Sequence, residues 1–139
     1  KFYTKWQGNQ LVIDKWFTLH ASSFKHGTIR QIEKLMKHDA FSITSPNRVR
    51  ALIGTFCNSN QIQFHSRDGA GYTFLAKQVT KLNDTNPQIA ARLLTPLSRW
   101  RHLDGDRQKL IKSSLENILA DKKISRNVFE IATKILGND

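Results

Sequence analysis

Apolar side chains recur along this chain every three or four residues, the period of a helix packed on one side. The clearest run is Val49, Leu52, Ile53 and Phe56, spaced i, i+3, i+4 and i+7. Ser45 precedes it as an N-cap and Pro46 suits the first turn, where a missing N–H is harmless. Asn58, Ser59 and Asn60 end that helix, and a polar loop leads to Asp68, expected to cap the next one. The same reading predicts a helix from Leu11 to about Ala21. Its apolar positions (Val12, Trp16 and Leu19 on one face; Ile13, Phe17 and His20 beside it) are too wide for a surface helix, so both sides should be packed.

The remaining elements follow from the same period. Thr28 to His38 places Ile29, Ile32, Leu35 and Met36 inward and Arg30, Lys34 and Lys37 outward, and Phe41 should be buried in the connector beyond. Gly69 to Leu82 carries Tyr72, Leu75, Ala76 and Val79, then a turn over Asn83, Asp84 and Thr85. Asn86 caps the next helix with Pro87 at its first position; Ile89, Leu93, Leu97 and Trp100 form its inner face, and Pro96 predicts a kink or break. Asp104-Gly105-Asp106 opens a helix to about Ala120, with Leu110, Ile111, Leu115, Ile118 and Leu119 inward. Ser125 caps the last, with Val128, Ala132 and Ile135 inward and Gly137 at its end. At the start, Phe2 to Trp6 reads as a short helical turn broken at Gly8-Asn9.

The main helices thus begin near residues 11, 28, 47, 69, 87, 106 and 126. A helix pair recurs at about 40 residues, the period of HEAT and armadillo solenoids. The expected fold class is all-α, antiparallel helix pairs stacked as a HEAT/armadillo-like α-superhelix, with residues 1–139 as a single helical-repeat domain. Each unit of such a stack contacts mainly its neighbours, so an excised end should expose an unsatisfied apolar face.

This central stretch also carries a likeness. Pro46-Asn47-Arg48-Val49-Arg50, Leu52-Ile53-Gly54, Phe64-His65 and Asp68-Gly69-Ala70-Gly71-Tyr72 resemble the C-terminal helical domain of bacterial aminopeptidase N, a zinc-dependent gluzincin exopeptidase family. Upstream, Phe2, Trp6-Gln7 and Leu11-Val12-Ile13-Asp14-Lys15-Trp16-Phe17 fit the start of that domain. Downstream, Asn86-Pro87-Gln88-Ile89-Ala90-Ala91-Arg92-Leu93 and Pro96-Leu97-Ser98-Arg99-Trp100 fit its later helices. Gln61 and Phe129 depart from the family pattern. The resemblance implies a domain that is not catalytic alone, caps the active-site chamber of the parent enzyme and gates peptide access to it. Its partners would be the catalytic domain of the same polypeptide and peptide substrates.

Composition adjusts this picture only slightly. The chain has 22 Lys+Arg against 11 Asp+Glu, a formal +11. Such a balance can signal a polyanion partner. The basic residues form no run of five, and interleaved aromatics are lacking, so a basic helical-repeat module binding nucleic acid is the alternative rather than the first reading. No apolar run reaches membrane-spanning length, and no membrane or nucleic-acid partner is expected. The chain starts at Lys1 without a signal-peptide core or a methionine, and is expected to be a piece of a longer polypeptide. The one cysteine, Cys57, reads as a packing residue and fits a reducing compartment without establishing one; the expected location is cytoplasmic.

The chemistry of a peptidase is missing from these residues. No His-Glu-x-x-His occurs, and His20, His26, His38, His65 and His102 lack a second ligand at helical spacing. No cofactor is expected in this chain; the resemblance puts zinc in an earlier domain of the parent. His65, Ser66 and Asp68 share one loop and cannot converge as a triad. The informative polar residues are arginines. Arg92 sits at the edge of an apolar stripe, where its stem can pack while its head reaches water, or where its guanidinium can meet a carboxylate. The resemblance favours the second reading for Arg50 and Arg92, whose matching positions in aminopeptidase N face the internal cavity. Arg48 is a weaker candidate.

Overall fold

The computed structural model describes residues 10–23, 27–39, 41–43 and 45–137. The expected turn at Phe2 to Trp6 and its break at Gly8 lie outside them. The described residues are helical and hold no strand. They divide at Phe64 and His65 into two compact units.

The first unit holds α1 (Gln10–Ala21), α2 (Thr28–Leu35), α3 and α4 (Gln61–Phe64). Helix α3 runs over residues 46–59 as an α-helical turn Pro46–Val49, a π-helical stretch Arg50–Gly54 and a second α-helical stretch Thr55–Ser59. Val49, Leu52, Ile53 and Phe56 are buried, as their spacing predicts. Ile13, Phe17 and Ala21 of α1 are buried as well, and α1 packs both against α3 and against α2, whose Ile32 and Leu35 are buried. The rings of Phe56 and Phe64 meet edge to face at 5.9 Å.

Four local expectations change here. Ser45 stands at the N-cap with extended backbone, but its hydroxyl makes no cap bond. Helix α2 stops at Leu35, three residues early. The expected polar loop contains α4, because Asn60 is a buried junction. Its Nδ2 donates to the Ala21 and Ser23 carbonyls at 2.9 and 2.7 Å, and its Oδ1 accepts the Gln63 N–H. Leu19 is exposed while Val12 and Trp16 are half-buried, so the second face of α1 is packed only in part.

The second unit holds α5 (Ala70–Thr85), α6 (Pro87–Leu93), single 3₁₀ turns at Thr95–Leu97 and Trp100–His102, α7 (Gly105–Ala120) and α8 (Arg126–Gly137). Asn86, Asp104 and Ser125 each accept a backbone N–H at the start of a helix, as capping chemistry predicts. The break predicted at Pro96 appears as the 3₁₀ turn that follows α6. Leu93, Leu97, Trp100, Ile111, Leu115, Ile118, Val128, Ala132 and Ile135 share the core. Trp100 Nε1 donates to the Ile135 carbonyl at 2.9 Å and fixes the end of α8.

Asn83, Asp84 and Thr85 form the last turn of α5 rather than a loop. The Asn83 side chain is occupied elsewhere: its Nδ2 donates to the Lys123 carbonyl at 2.7 Å and its Oδ1 accepts the Ser125 N–H at 2.6 Å. The Asp68 carboxylate accepts the Ala70 N–H, but Gly69 is the N-cap, with φ of 74°. A Cβ on Gly69 would also lie 3.1 Å from Leu110 Cδ1. Gly69→Ala is therefore expected to cost about 1–2 kcal/mol in the left-handed region, with further loss from displacing Leu110. Gly105→Ala, where a Cβ meets nothing within 4 Å, should leave stability nearly unchanged. Parallel urea melts of the two variants check this.

Candidate functional site

The three candidate arginines occupy different environments. Arg48, on the first turn of α3, is 5% exposed and pairs with Asp14 of α1 through Nη1 and Oδ1. Its charge is used inside the first unit, tying α1 to α3.

Arg50 is exposed and opens the π-helical stretch of α3. Its Nη2 donates to Asn47 Oδ1 at 2.6 Å, one turn earlier. Its carbonyl accepts from the Thr55 N–H and, at 3.3 Å, from Thr55 Oγ1, closing the wider turn. Single π turns inside α-helices often mark functional positions, because they re-aim the side chains around them.

Arg92 lies in the second unit, exposed at the C-terminal end of α6. With Gln88 and Ala91 it forms one wall of an open cleft of about 550 Å³, and Arg126, Asn127, Glu130 and Ile131 of α8 form the other. Arg126 Nε bonds Glu130 Oε1 at 2.9 Å, which neutralises that pair locally. Among the described residues no hydrogen bond or ion pair engages the Arg92 guanidinium. Arg126 and Asn127 are also the first residues of α8, the end of a helix that favours negative charge. Among the described residues the cleft thus offers an unengaged guanidinium, two amide side chains and a positive helix end, a set suited to a carboxylate.

Other polar groups in the unit are engaged in structure. His65 Nδ1 and Tyr72 Oη lie 2.6 Å apart. Burial, and then the nearby Arg107, hold the His65 imidazole below its usual pKa, while burial raises that of the Tyr72 phenol. Arg107 Nε donates to the His65 carbonyl at 2.7 Å, and Ser66 Oγ donates to Asp68. His65, Ser66 and Asp68 therefore form no triad. In the first unit Cys57 is fully buried and its thiol pKa is driven up by desolvation, which keeps it unreactive. No three His, Cys, Asp or Glu side chains gather as a metal-binding group among the described residues, and no helix there is long and apolar enough to cross a membrane.

The sequence from Lys1 to Gly137 (residues 1–137) matches the family described as "Domain of unknown function (DUF3458_C) ARM repeats". The chain belongs to this family. Aminopeptidase N of Escherichia coli is 42% identical over 132 residues, 95% of this chain and 15% of that protein. Aminopeptidase N of Haemophilus influenzae is 42% identical over 135 residues, 97% of this chain and 16% of that protein. The crystal structure of Legionella pneumophila aminopeptidase A in complex with aspartic acid superposes with a TM-score of 0.93 at 32% identity, over 99% of this chain and 16% of that one. The chain therefore spans about a sixth of the length of these relatives, and corresponds to their C-terminal domain. Its all-α, armadillo-type fold class agrees with the helices described above.

The wall of the cleft opposite Arg92 was not singled out from sequence. The period of α8 identifies Val128, Ala132 and Ile135 as its core face. Arg126 and Glu130, at i and i+4 on another face, gain meaning only once α6 and α8 are known to be neighbours.

Proposed function

We propose that this chain is the C-terminal domain of a cytoplasmic zinc aminopeptidase N, which releases N-terminal amino acids from peptides. In this reading residues 1–139 act as one domain that closes the active-site chamber and gates access to it. Arg50 and Arg92 face the chamber and engage the part of the peptide distant from the cleaved bond. The observation that carries the reading is 40–42% identity to aminopeptidases N over nearly the whole chain. The cleft beside Arg92 supports the assignment of that arginine, since its guanidinium, unengaged among the described residues, and the start of α8 suit a terminal carboxylate. Arg48 is already paired with Asp14.

In this reading the metal and the hydrolytic step belong to the part of the parent outside this chain. Two observations test the reading. The reading frame upstream of Lys1 should encode His-Glu-x-x-His. The purified 139-residue chain should release no amino acid from aminoacyl amides; activity that co-purifies with it and disappears with a chelator would overturn the assignment.

A further inference from the structure

The two walls of the cleft beside Arg92 are anchored at one turn of α5. Asn86, which follows that turn, caps α6: its Oδ1 accepts the Ile89 N–H at 3.2 Å. Asn83, three residues earlier and 7% exposed, holds the other wall. Its Nδ2 donates to the Lys123 carbonyl at 2.7 Å and its Oδ1 accepts the Ser125 N–H at 2.6 Å. Ser125 in turn caps α8, its Oγ accepting the Val128 N–H at 3.2 Å. Asp121 also accepts from this connector, its carboxylate from the Lys123 N–H and its carbonyl from the Ile124 N–H. Those bonds fold the connector on itself, whereas the Asn83 bonds tie it to α5. A primary amide suits this place because it donates and accepts at once; a carboxylate cannot donate and an alkyl group does neither.

We propose that Asn83 is a positioning residue for peptide binding: it fixes the start of α8, and with it the cleft wall opposite Arg92. The inference rests on the reading of that cleft as the place where the far end of the peptide binds. Asn83 holds the end of the wall that can swing. The other end of α8 is fastened separately, by Trp100 Nε1 on the Ile135 carbonyl at 2.9 Å and by Arg101 Nη2 on the Leu136 carbonyl at 2.6 Å. At 1.5 Å per residue Arg126 stands about 13 Å along the axis from Ile135, so a tilt of roughly 5° shifts the first turn of α8 by about 1 Å. That turn carries what the wall contributes, the Asn127 amide and the positive helix end. A misplacement of about 1 Å, made far from the reacting bond, can cost as much as about a hundredfold. Without the Asn83 amide, the Ser125 N–H and the Lys123 carbonyl lose a buried partner and turn toward water, taking the start of α8 with them.

The test compares Asn83→Ala, Asn83→Asp, Arg92→Ala and Gly69→Ala in the full-length parent. Gly69→Ala is the stability control, because it strains the same unit at Leu110, a residue that does not line the cleft. KM and kcat are measured for a peptide with a free C-terminal carboxylate and for its C-terminal amide. Deuterium exchange, read by mass spectrometry, follows residues 121–130. Asn83→Ala is expected to raise KM about tenfold for the carboxylate peptide, to change kcat and the amide little, and to speed exchange over residues 121–130. Asn83→Asp keeps the acceptor for the Ser125 N–H and should fall between Asn83→Ala and wild type in both readouts; it decides the matter should Asn83→Ala fail to fold. Gly69→Ala should change neither readout. Added to Arg92→Ala, Asn83→Ala should raise KM little further, because it acts through the site that Arg92 completes. If Arg92→Ala raises KM for the carboxylate peptide and the Asn83 variants do not, the proposal falls while the reading of the cleft stands. Equal losses on both peptides, or the same loss in Gly69→Ala, would also overturn it as general damage. No effect of Arg92→Ala would remove the reading of the cleft and the proposal with it.

Discussion

Asp14→Ala is expected to lower the unfolding free energy by about 2–4 kcal/mol, because it strands the buried Arg48 guanidinium. Arg48 has 6% of its side-chain surface exposed and Asp14 has 19%, so the two partners are not equivalent. Breaking a fully buried pair by removing one partner costs about 3–5 kcal/mol. The lower range applies here because water reaches the Asp14 side of the pair and Arg48 has further interactions. Arg48→Met should cost less, about 1–2 kcal/mol, since the methionine replaces the packed stem and the remaining carboxylate turns to water. The double variant Asp14→Leu with Arg48→Met should recover most of the loss, as apolar replacements of buried ion pairs often do. Urea unfolding of the three proteins tests the argument. A loss below about 0.5 kcal/mol for Asp14→Ala, or a double variant no better than the sum of the singles, would remove the pair as the tie between α1 and α3.

The helices are legible in the sequence because their starts carry their own chemistry. Asn86-Pro87, Asp104-Gly105 and Ser125 are capping signals that need no tertiary partner, and each cap forms. The errors fall where a polar side chain bonds far along the chain. Asn83 looks like a turn residue because asparagine competes with helical backbone bonding. Its amide instead reaches the Lys123 and Ser125 backbone, which leaves its own backbone helical. Asn60 looks like a helix stop and a loop start, yet its buried side chain joins the end of α1 to the start of α4. No local pattern announces either partner. The π-helical stretch is hidden for another reason: Val49, Leu52, Ile53 and Phe56 are all buried with or without the wider turn.

The site was less legible than the fold. Arg92 is one of many basic residues, and periodicity alone leaves it between a packed stem and a binding head. The structure adds the wall from α8, whose pairing with α6 skips the helix between them and cannot be read from spacing. Arg48 and Arg50 are two residues apart and chemically alike, but the turn of the helix buries one against Asp14 and exposes the other. For α1 the expected second packed face, Val12, Trp16 and Leu19, is packed only in part: Val12 and Trp16 are half-buried and Leu19 is exposed.

In the full-length parent, Arg92→Ala is expected to raise KM about ten- to a hundredfold for peptides with a free C-terminal carboxylate. That corresponds to roughly 1.5–3 kcal/mol for one charge-assisted contact in a partly water-excluded chamber. The contact would be remote from the bond being cleaved and equally strong in ground and transition states, so kcat should change little. Arg50→Ala should have a smaller effect of the same kind, because one Arg50 nitrogen is already engaged by Asn47. Substrate dependence distinguishes this from general damage. C-terminal amidation of the peptide should remove most of the difference between wild type and Arg92→Ala. Small aminoacyl reporters, too short to reach the cleft, should be cleaved equally by both. Arg92→Lys should restore only part of the affinity, since an ammonium keeps the charge but loses the two-pronged geometry. Arg92 is exposed and its guanidinium makes no hydrogen bond or ion pair among the described residues, so the unfolding midpoint should hold. A loss of equal size on carboxylate peptides, amidated peptides and reporters, with stability intact, would show that Arg92 does not read the far end of the peptide.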